Sequence, residues 1–214
     1  TGIDPALVVF DKKTTGVDQF RELADAMHAR EGMVFLDIVV NHTGWRSWLL
    51  ENHPDWFLRE SDGSFHSPGA WGVRWEDLVE LDHTHPRLWS SIAESLLEWC
   101  RRGIDGFRCD AAYMVPLSAW QYILSTVRQE FPDTVFLAEG LGGPWDLTER
   151  LLCEGGMQWA YSELFQNFDP VPVQGYLDHA IRQSNRVGTL VHYSETHDNA
   201  RLAKGGRAWS LFRN

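Results

Sequence analysis

Four short β-prone runs break, each at its C-terminal end, into carboxylates, imidazoles or a guanidinium. They are Asp37-Ile38-Val39-Val40-Asn41-His42, Gly106-Phe107-Arg108-Cys109-Asp110, Phe136-Leu137-Ala138-Glu139 and Glu195-Thr196-His197-Asp198. Near-continuous apolar strands are covered on both faces and belong to parallel sheets. Acids at the carboxyl ends of successive parallel strands are where barrel enzymes hold their chemistry. Polar groups there are costly unless a site uses them. Asp110, Glu139 and Asp198 are each expected to end a separate strand.

The segments between these runs alternate in kind. Thr15-Gly16-Val17-Asp18 reads as a capping box, followed by Phe20, Leu23, Ala24 and Met27 at helical spacing and Gly32 as the stop. Met33 to Val40 is an apolar strand. From Asn41 to about His85 periodicity vanishes while Gly, Pro, Trp, His and Ser accumulate. That stretch is too long for an ordinary connection and reads as a functional insert. Pro86 and Pro116 each open a helix, the first with Leu88, Ile92, Leu96 and Trp99 on one face, the second with Trp120, Ile123, Leu124 and Val127. Strands are expected over 104–109, 134–138, 157–161 and 189–193, with helices over 147–153 and 174–183 between the later ones. Such alternation implies right-handed crossovers and a parallel sheet.

Five strands are fewer than a closed barrel needs, and 214 residues fall short of the usual length of about 250. A short, open α/β sheet is the competing architecture. Net charge is −11 at a pI near 5.2, which argues against nucleic acid or an anionic membrane surface as partner. No apolar run of about 18 residues spans a membrane. No leader is visible, and a cytoplasmic setting is expected, in a chain expected to be part of a longer polypeptide. Cys100, Cys109 and Cys153 show neither a metal-finger spacing nor a disulfide framework. Eleven Trp is a high count, for which core filling is the ordinary explanation of any one of them. Trp45, Trp48, Trp56, Trp71 and Trp75 fall in or near the insert, where aromatic rings can stack on the apolar faces of sugars.

Breaking an acetal needs a proton for the leaving oxygen and a partner for the oxocarbenium-like carbon. Residues two apart in a strand point the same way, so Arg108 lies beside Asp110 and holds it ionised, as a nucleophile requires. A buried structural ion pair is the alternative reading. Glu139 ends an apolar strand before Gly140, Gly142 and Gly143. Burial and nearby carboxylates would raise its pKa, as a general acid needs near neutral pH.

The four runs, in this order, resemble the signature regions of the α-amylase clan, glycoside hydrolase family 13. The resemblance covers nearly the whole chain and implies an incomplete (β/α)8 barrel comprising about strands three to seven. Residues 1–44 and 86–214 would be barrel, and 45–85 the small domain inserted after the third barrel strand. It implies a retaining α-glycosidase acting on α-linked glucan or malto-oligosaccharide through a covalent glycosyl-enzyme. Asp110 would be the nucleophile, Glu139 the acid/base and Asp198 the third acid, which binds sugar hydroxyls. Arg108, His42 and His197 would contact substrate, and Asp37 would brace the site. No cofactor is required. Asn41 is the implied oxygen ligand of a calcium that many relatives hold.

The departures from the family pattern bear on the reaction. Tyr113 and Met114 stand where the family commonly has a Lys or His contacting the leaving group. That leaves hydrolysis and transfer to a sugar hydroxyl both open. Glu precedes Thr196-His197-Asp198 in place of the usual Asn arrangement, and Glu80-Leu81-Asp82 matches a further family motif loosely. A catalytically inert amylase-like binding module is the rival from another class. Retention of all three acids and Arg108 argues against it.

Overall fold

The computed structural model describes residues 15–141, 143–162, 170–193, 195–198 and 201–205. Helix α1 (Gly16–His28) opens on the expected box, with the Thr15 hydroxyl accepting from the Asp18 N–H at 3.2 Å and Asp18 Oδ2 accepting from the Thr15 N–H at 3.3 Å. The helix stops four residues before Gly32. Glu31 takes the left-handed turn at φ 58°, and a Cβ at Gly32 would come within 3.0 Å of Met27 Cε.

The central sheet is parallel and five-stranded, in the order β1-β6-β7-β8-β9. Its strands are β1 (Phe35–Val39), β6 (Gly106–Asp110), β7 (Val135–Ala138), β8 (Trp159–Tyr161) and β9 (Thr189–Val191). The intervening helices are α3 (Pro86–Arg101), α4 (Leu117–Glu130), α5 (Trp145–Cys153) and α6 (Pro170–Arg186). Strands β1, β6, β7 and β8 begin one or two residues inside their expected runs and β6 extends to Asp110, whereas β9 starts where expected and ends two residues early. Helix α6 is longer than its periodic stretch, with Pro170 and Pro172 in its first turn, where a missing N–H costs nothing.

One face of the sheet is sealed. Phe107, Cys109, Phe136, Ala138 and Ala160 are fully buried beneath Leu96, Leu97, Trp120, Ile123, Leu124 and Leu151 of the helices. The other face curves inward enough for side chains two and three strands apart to meet. Phe35 of β1 stacks on Trp159 of β8 at 5.7 Å between centroids, and the Arg108 guanidinium sits 5.7 Å from the Tyr161 ring. Gly106 makes the first contact feasible, since a Cβ there would lie 2.5 Å from Phe35 Cε1.

Between β1 and α3 the chain builds a second, smaller unit. β2 (His42–Gly44) pairs antiparallel with β5 (Leu78–Glu80), and β3 (Gly69–Ala70) with β4 (Val73–Arg74). The short helix α2 (Trp48–Asn52) and the turn at Pro54–Trp56 complete it. Its own core holds Leu50, Trp56, Phe57, Val79 and Leu81, with Leu88 of α3 beneath. The periodicity fails here because strands of two or three residues are too short to print one.

Candidate active site

The register of the sheet builds the site. Asp37 pairs with Arg108, Val39 with Asp110, and Cys109 with Ala138, so Asp110 and Glu139 follow side by side on adjacent strands. Strands lie about 4.8 Å apart, and laterally matched residues share a face. Both acids line one cleft of about 460 Å³ together with His42, Arg108, Tyr113 and Asp198.

Arg108 is the hub of the inner face. Its Nη1 donates to Asp37 Oδ1 at 2.9 Å, Asp37 Oδ2 at 3.1 Å and Asp110 Oδ1 at 2.6 Å. Burial works against the Arg108 charge, but the bonds and charges of Asp37 and Asp110 outweigh it and raise its pKa. The guanidinium is thus in direct contact with one Asp110 oxygen. The other Asp110 oxygen faces His42 Nε2 at 4.0 Å. Burial lowers the His42 pKa against the pull of Asp110 and Asp77. The imidazole is therefore neutral near pH 7 and can donate from one nitrogen while accepting at the other.

Glu139 is 9% exposed and held from two sides. The Ala111 N–H donates to Oε2 and the Leu141 N–H to Oε1, both at 2.9 Å. Burial pushes its pKa up and Asp110 adds to the rise, against the two N–H donors and Arg108. The Ala111 bond depends on an unusual backbone: this residue is left-handed at φ 43°, a conformation costing a non-glycine residue roughly 1–2 kcal/mol. The turn reverses the chain directly after Asp110 and aims the next N–H at Glu139. Tyr113, two residues further on and also in the cleft wall, has its hydroxyl pushed up to about 12, by burial first and then by Glu139 and Asp110. It stays protonated throughout the useful pH range.

The fourth run behaves differently from the sequence expectation. Strand β9 ends at Val191, and Asp198 lies seven residues beyond it in an exposed turn. The apolar pattern stops at Tyr193, so no strand carries these residues. Asp198 and Thr196 reach the cleft wall. The His197 side chain is 64% exposed, lies 3.4 Å from Asp198 Oδ2 and is not part of the cleft lining.

Asn41 is buried beside the cleft, and its Oδ1 accepts no hydrogen bond among the described residues, a feature that suits a cation. The surrounding donors do not. Met114 Sδ lies 3.7 Å from Asn41 Nδ2, and the adjacent Glu80 carboxylate is engaged by His66 Nε2 at 3.2 Å. No cluster of three or more His, Cys, Asp or Glu side chains able to hold a metal occurs among the described residues. Calcium takes six to eight oxygens, and these side chains do not supply them.

The five tryptophans of the insert separate by role. Trp71 and Trp75 line the cleft. Trp56 is core and stacks on His53 at 4.1 Å, while Trp45 bonds the Glu76 carbonyl and Trp48 is exposed away from the cleft. Sequence reasoning missed Asp77, Leu141 and the left-handed Ala111. Asp77 carries a weak signal as an acid directly after Trp75-Glu76. Leu141 and Ala111 act through backbone N–H groups and carry none.

The fold and site together are an arc of parallel strands with paired carboxylates at adjacent carboxyl ends. Residues 11–140, more than half of the chain, match the family described as alpha-amylase, catalytic domain, and the chain belongs to that family. It is 34% identical over 132 residues to the alpha-1,4-glucan:maltose-1-phosphate maltosyltransferase of Burkholderia pseudomallei, covering 60% of this chain and 12% of the relative. The enzyme of the same name from Rhodospirillum rubrum is 28% identical over 169 residues, 77% of this chain and 24% of its own. The crystal structure of an alpha-amylase from Lactobacillus plantarum superposes with a TM-score of 0.71 at 29% identity, over 91% of this chain and 50% of that one. The chain thus spans at most half the length of these relatives, and its five strands are part of a (β/α)8 barrel. Among the described residues, no helix is long and apolar enough to cross a membrane.

Proposed function

We propose that the protein containing this chain is a retaining α-glycosidase or transglycosidase acting on α-linked glucan or malto-oligosaccharide. The observation that carries this reading is the asymmetric pair: Asp110 bonded to Arg108, and Glu139 buried beside it with a raised pKa. In the first step an Asp110 oxygen bonds the anomeric carbon. The glycosidic C–O bond breaks, and the Glu139 proton goes to the departing oxygen. In the second, Glu139 takes a proton from the incoming hydroxyl, whose oxygen bonds the anomeric carbon and releases Asp110. Two carboxylates supply all of this chemistry without a cofactor. His42, Arg108, Asp198 and the adjacent His197 bind sugar hydroxyls, and Asp37 positions Arg108.

Transfer to a sugar or phosphate acceptor is the second reading. It is favoured by the maltosyltransferase relatives and by the neutral Tyr113 hydroxyl on the cleft wall beside both acids. Residues 45–85 serve in either case as an inserted small domain closing one side of the cleft, between barrel segments 1–44 and 86–214. Nucleic acid and membrane are not partners in this reading. Three free thiols, one of them exposed, suit the reducing cytoplasm.

The test separates the two acids in the full-length protein. Glu139→Gln should slow poor leaving groups by roughly 10²–10⁴-fold while sparing activated aryl glycosides in the first step. Asp110→Asn should abolish both. Equal slowing of both substrate types by both variants would overturn the division of labour.

A further inference from the structure

Trp71 and Gly72 form the two-residue tip of the hairpin between β3 and β4, and both have positive φ, 52° and 78°. Two left-handed central residues make a type I′ turn, which favours Asn and Gly. Gly72 meets that demand freely. An indole-bearing residue does not, because its Cβ crowds the following carbonyl. Little packing offsets the strain, since Trp71 is 73% exposed, the highest value among the described large hydrophobic side chains. The hairpin is nonetheless tightly closed: a Cβ at Gly69 would lie 2.3 Å from the Val73 carbonyl oxygen. It is a firm mount for a side chain that local energetics disfavour, a pattern associated with function.

The indole borders two recesses. On one side is the catalytic cleft, where Trp75 lies edge-on to His42 at 5.6 Å. On the other is an open trough of about 460 Å³ bounded by His66, Pro68, Gly69 and Arg74. Among the described residues, Trp71 alone is common to both linings. The trough rim carries the Arg74 guanidinium and the His66 imidazole, both paired with Glu60, so hydroxyl-bonding groups flank an aromatic platform.

We propose that Trp71 is a glucan-binding position remote from the bond being cleaved. A chain held between Asp110 and Glu139 leaves the cleft across the indole face and continues along the trough past Arg74. The adjacency of the trough to the cleft, with Trp71 as the wall they share, selects this occupant. A sugar ring offers an apolar face for the indole and hydroxyls for the rim. The proposal rests on the α-glucan reading above and adds to it a surface that selects for chain length.

The test uses the full-length protein, Trp71→Gly and Trp71→Asn, and malto-oligosaccharides of graded length. Both replacements suit the turn, so the melting temperature should hold or rise. KM for the longest substrates should increase about five- to tenfold, the scale of one lost aromatic contact, and by progressively less as the substrate shortens. Quenching of tryptophan fluorescence by maltoheptaose should weaken in parallel. An unchanged dependence of KM on length, with substrates still turned over, would overturn the Trp71 site alone. Absence of α-glucan turnover in the unsubstituted protein would overturn it together with the reading beneath it. A lowered melting temperature with equal losses at every length would make Trp71 a folding residue. Self-association of the unsubstituted protein that Trp71→Gly removes, at constant KM, would make it a protein contact.

Discussion

The two faces of the central sheet are built by the same strands and obey opposite rules. On the outer face Phe107, Cys109, Phe136, Ala138 and Ala160 are fully buried beneath helices, and burial pushes the Cys109 thiol far above its ordinary range. On the inner face stand the ionisable side chains of Asp37, Arg108, Asp110 and the neighbouring Glu139. Apolar residues such as Val39 remain as much as 49% exposed there. A parallel strand alternates its side chains, so each residue of β6 serves one rule or the other. The outer face holds the arc in shape. The inner face uses that shape to keep charges where a substrate can reach them.

The largest expected effect breaks or sustains this division directly. In the full-length protein Asp110→Asn should cost on the order of 10⁴–10⁶ in kcat, as removal of a nucleophile does elsewhere, with little change in the unfolding transition. Phe136→Ala, on the neighbouring strand three positions back and on the opposite face, should cost about 3–5 kcal/mol of stability and leave kcat near its parent value while folded. Chemical denaturation and steady-state kinetics on the two variants decide it. If Phe136→Ala reduced kcat of the folded enzyme as severely as Asp110→Asn, the faces would not be separable.

A smaller effect sharpens the inner-face account through pH. Glu139 must carry a proton to act as acid, and burial lifts its pKa above the ordinary carboxylate range. The alkaline limb of kcat/KM therefore reflects loss of that proton. Its midpoint should lie above the value of about 4.3 for a free Glu. With an activated aryl glycoside, whose leaving group needs little protonation, Glu139→Gln should remove the limb. A limb that persists unchanged in Glu139→Gln would assign it to another group.

The outer face was largely legible in the sequence, because apolar continuity, helix periodicity and proline starts are signals that burial imposes on residue choice. Helix starts near Pro86 and Pro116 and the cores of the first three strands followed from them. The inner face was legible where it carries charged side chains: Asp37, Arg108, Asp110 and Glu139 meet in register. It was illegible where function is carried by the backbone, as in the Ala111 and Leu141 N–H groups on Glu139. The last motif was placed at a strand end, yet Asp198 arrives from a turn, since the apolar run ends at Tyr193. The short strands of the insert leave no periodic trace. Nothing in composition distinguishes Trp71 on its hairpin tip from Trp56 in the core.

The central claim is that Asp110 forms a covalent bond to the substrate carbon. An activated fluoro-sugar that forms the glycosyl-enzyme quickly and releases it slowly tests this most directly, with the full-length protein digested and read by mass spectrometry. The account predicts one added glycosyl mass on the peptide containing Asp110, none in Asp110→Asn, and products that keep the α configuration. A label on another residue, or β-configured product formed with no label at all, would contradict it.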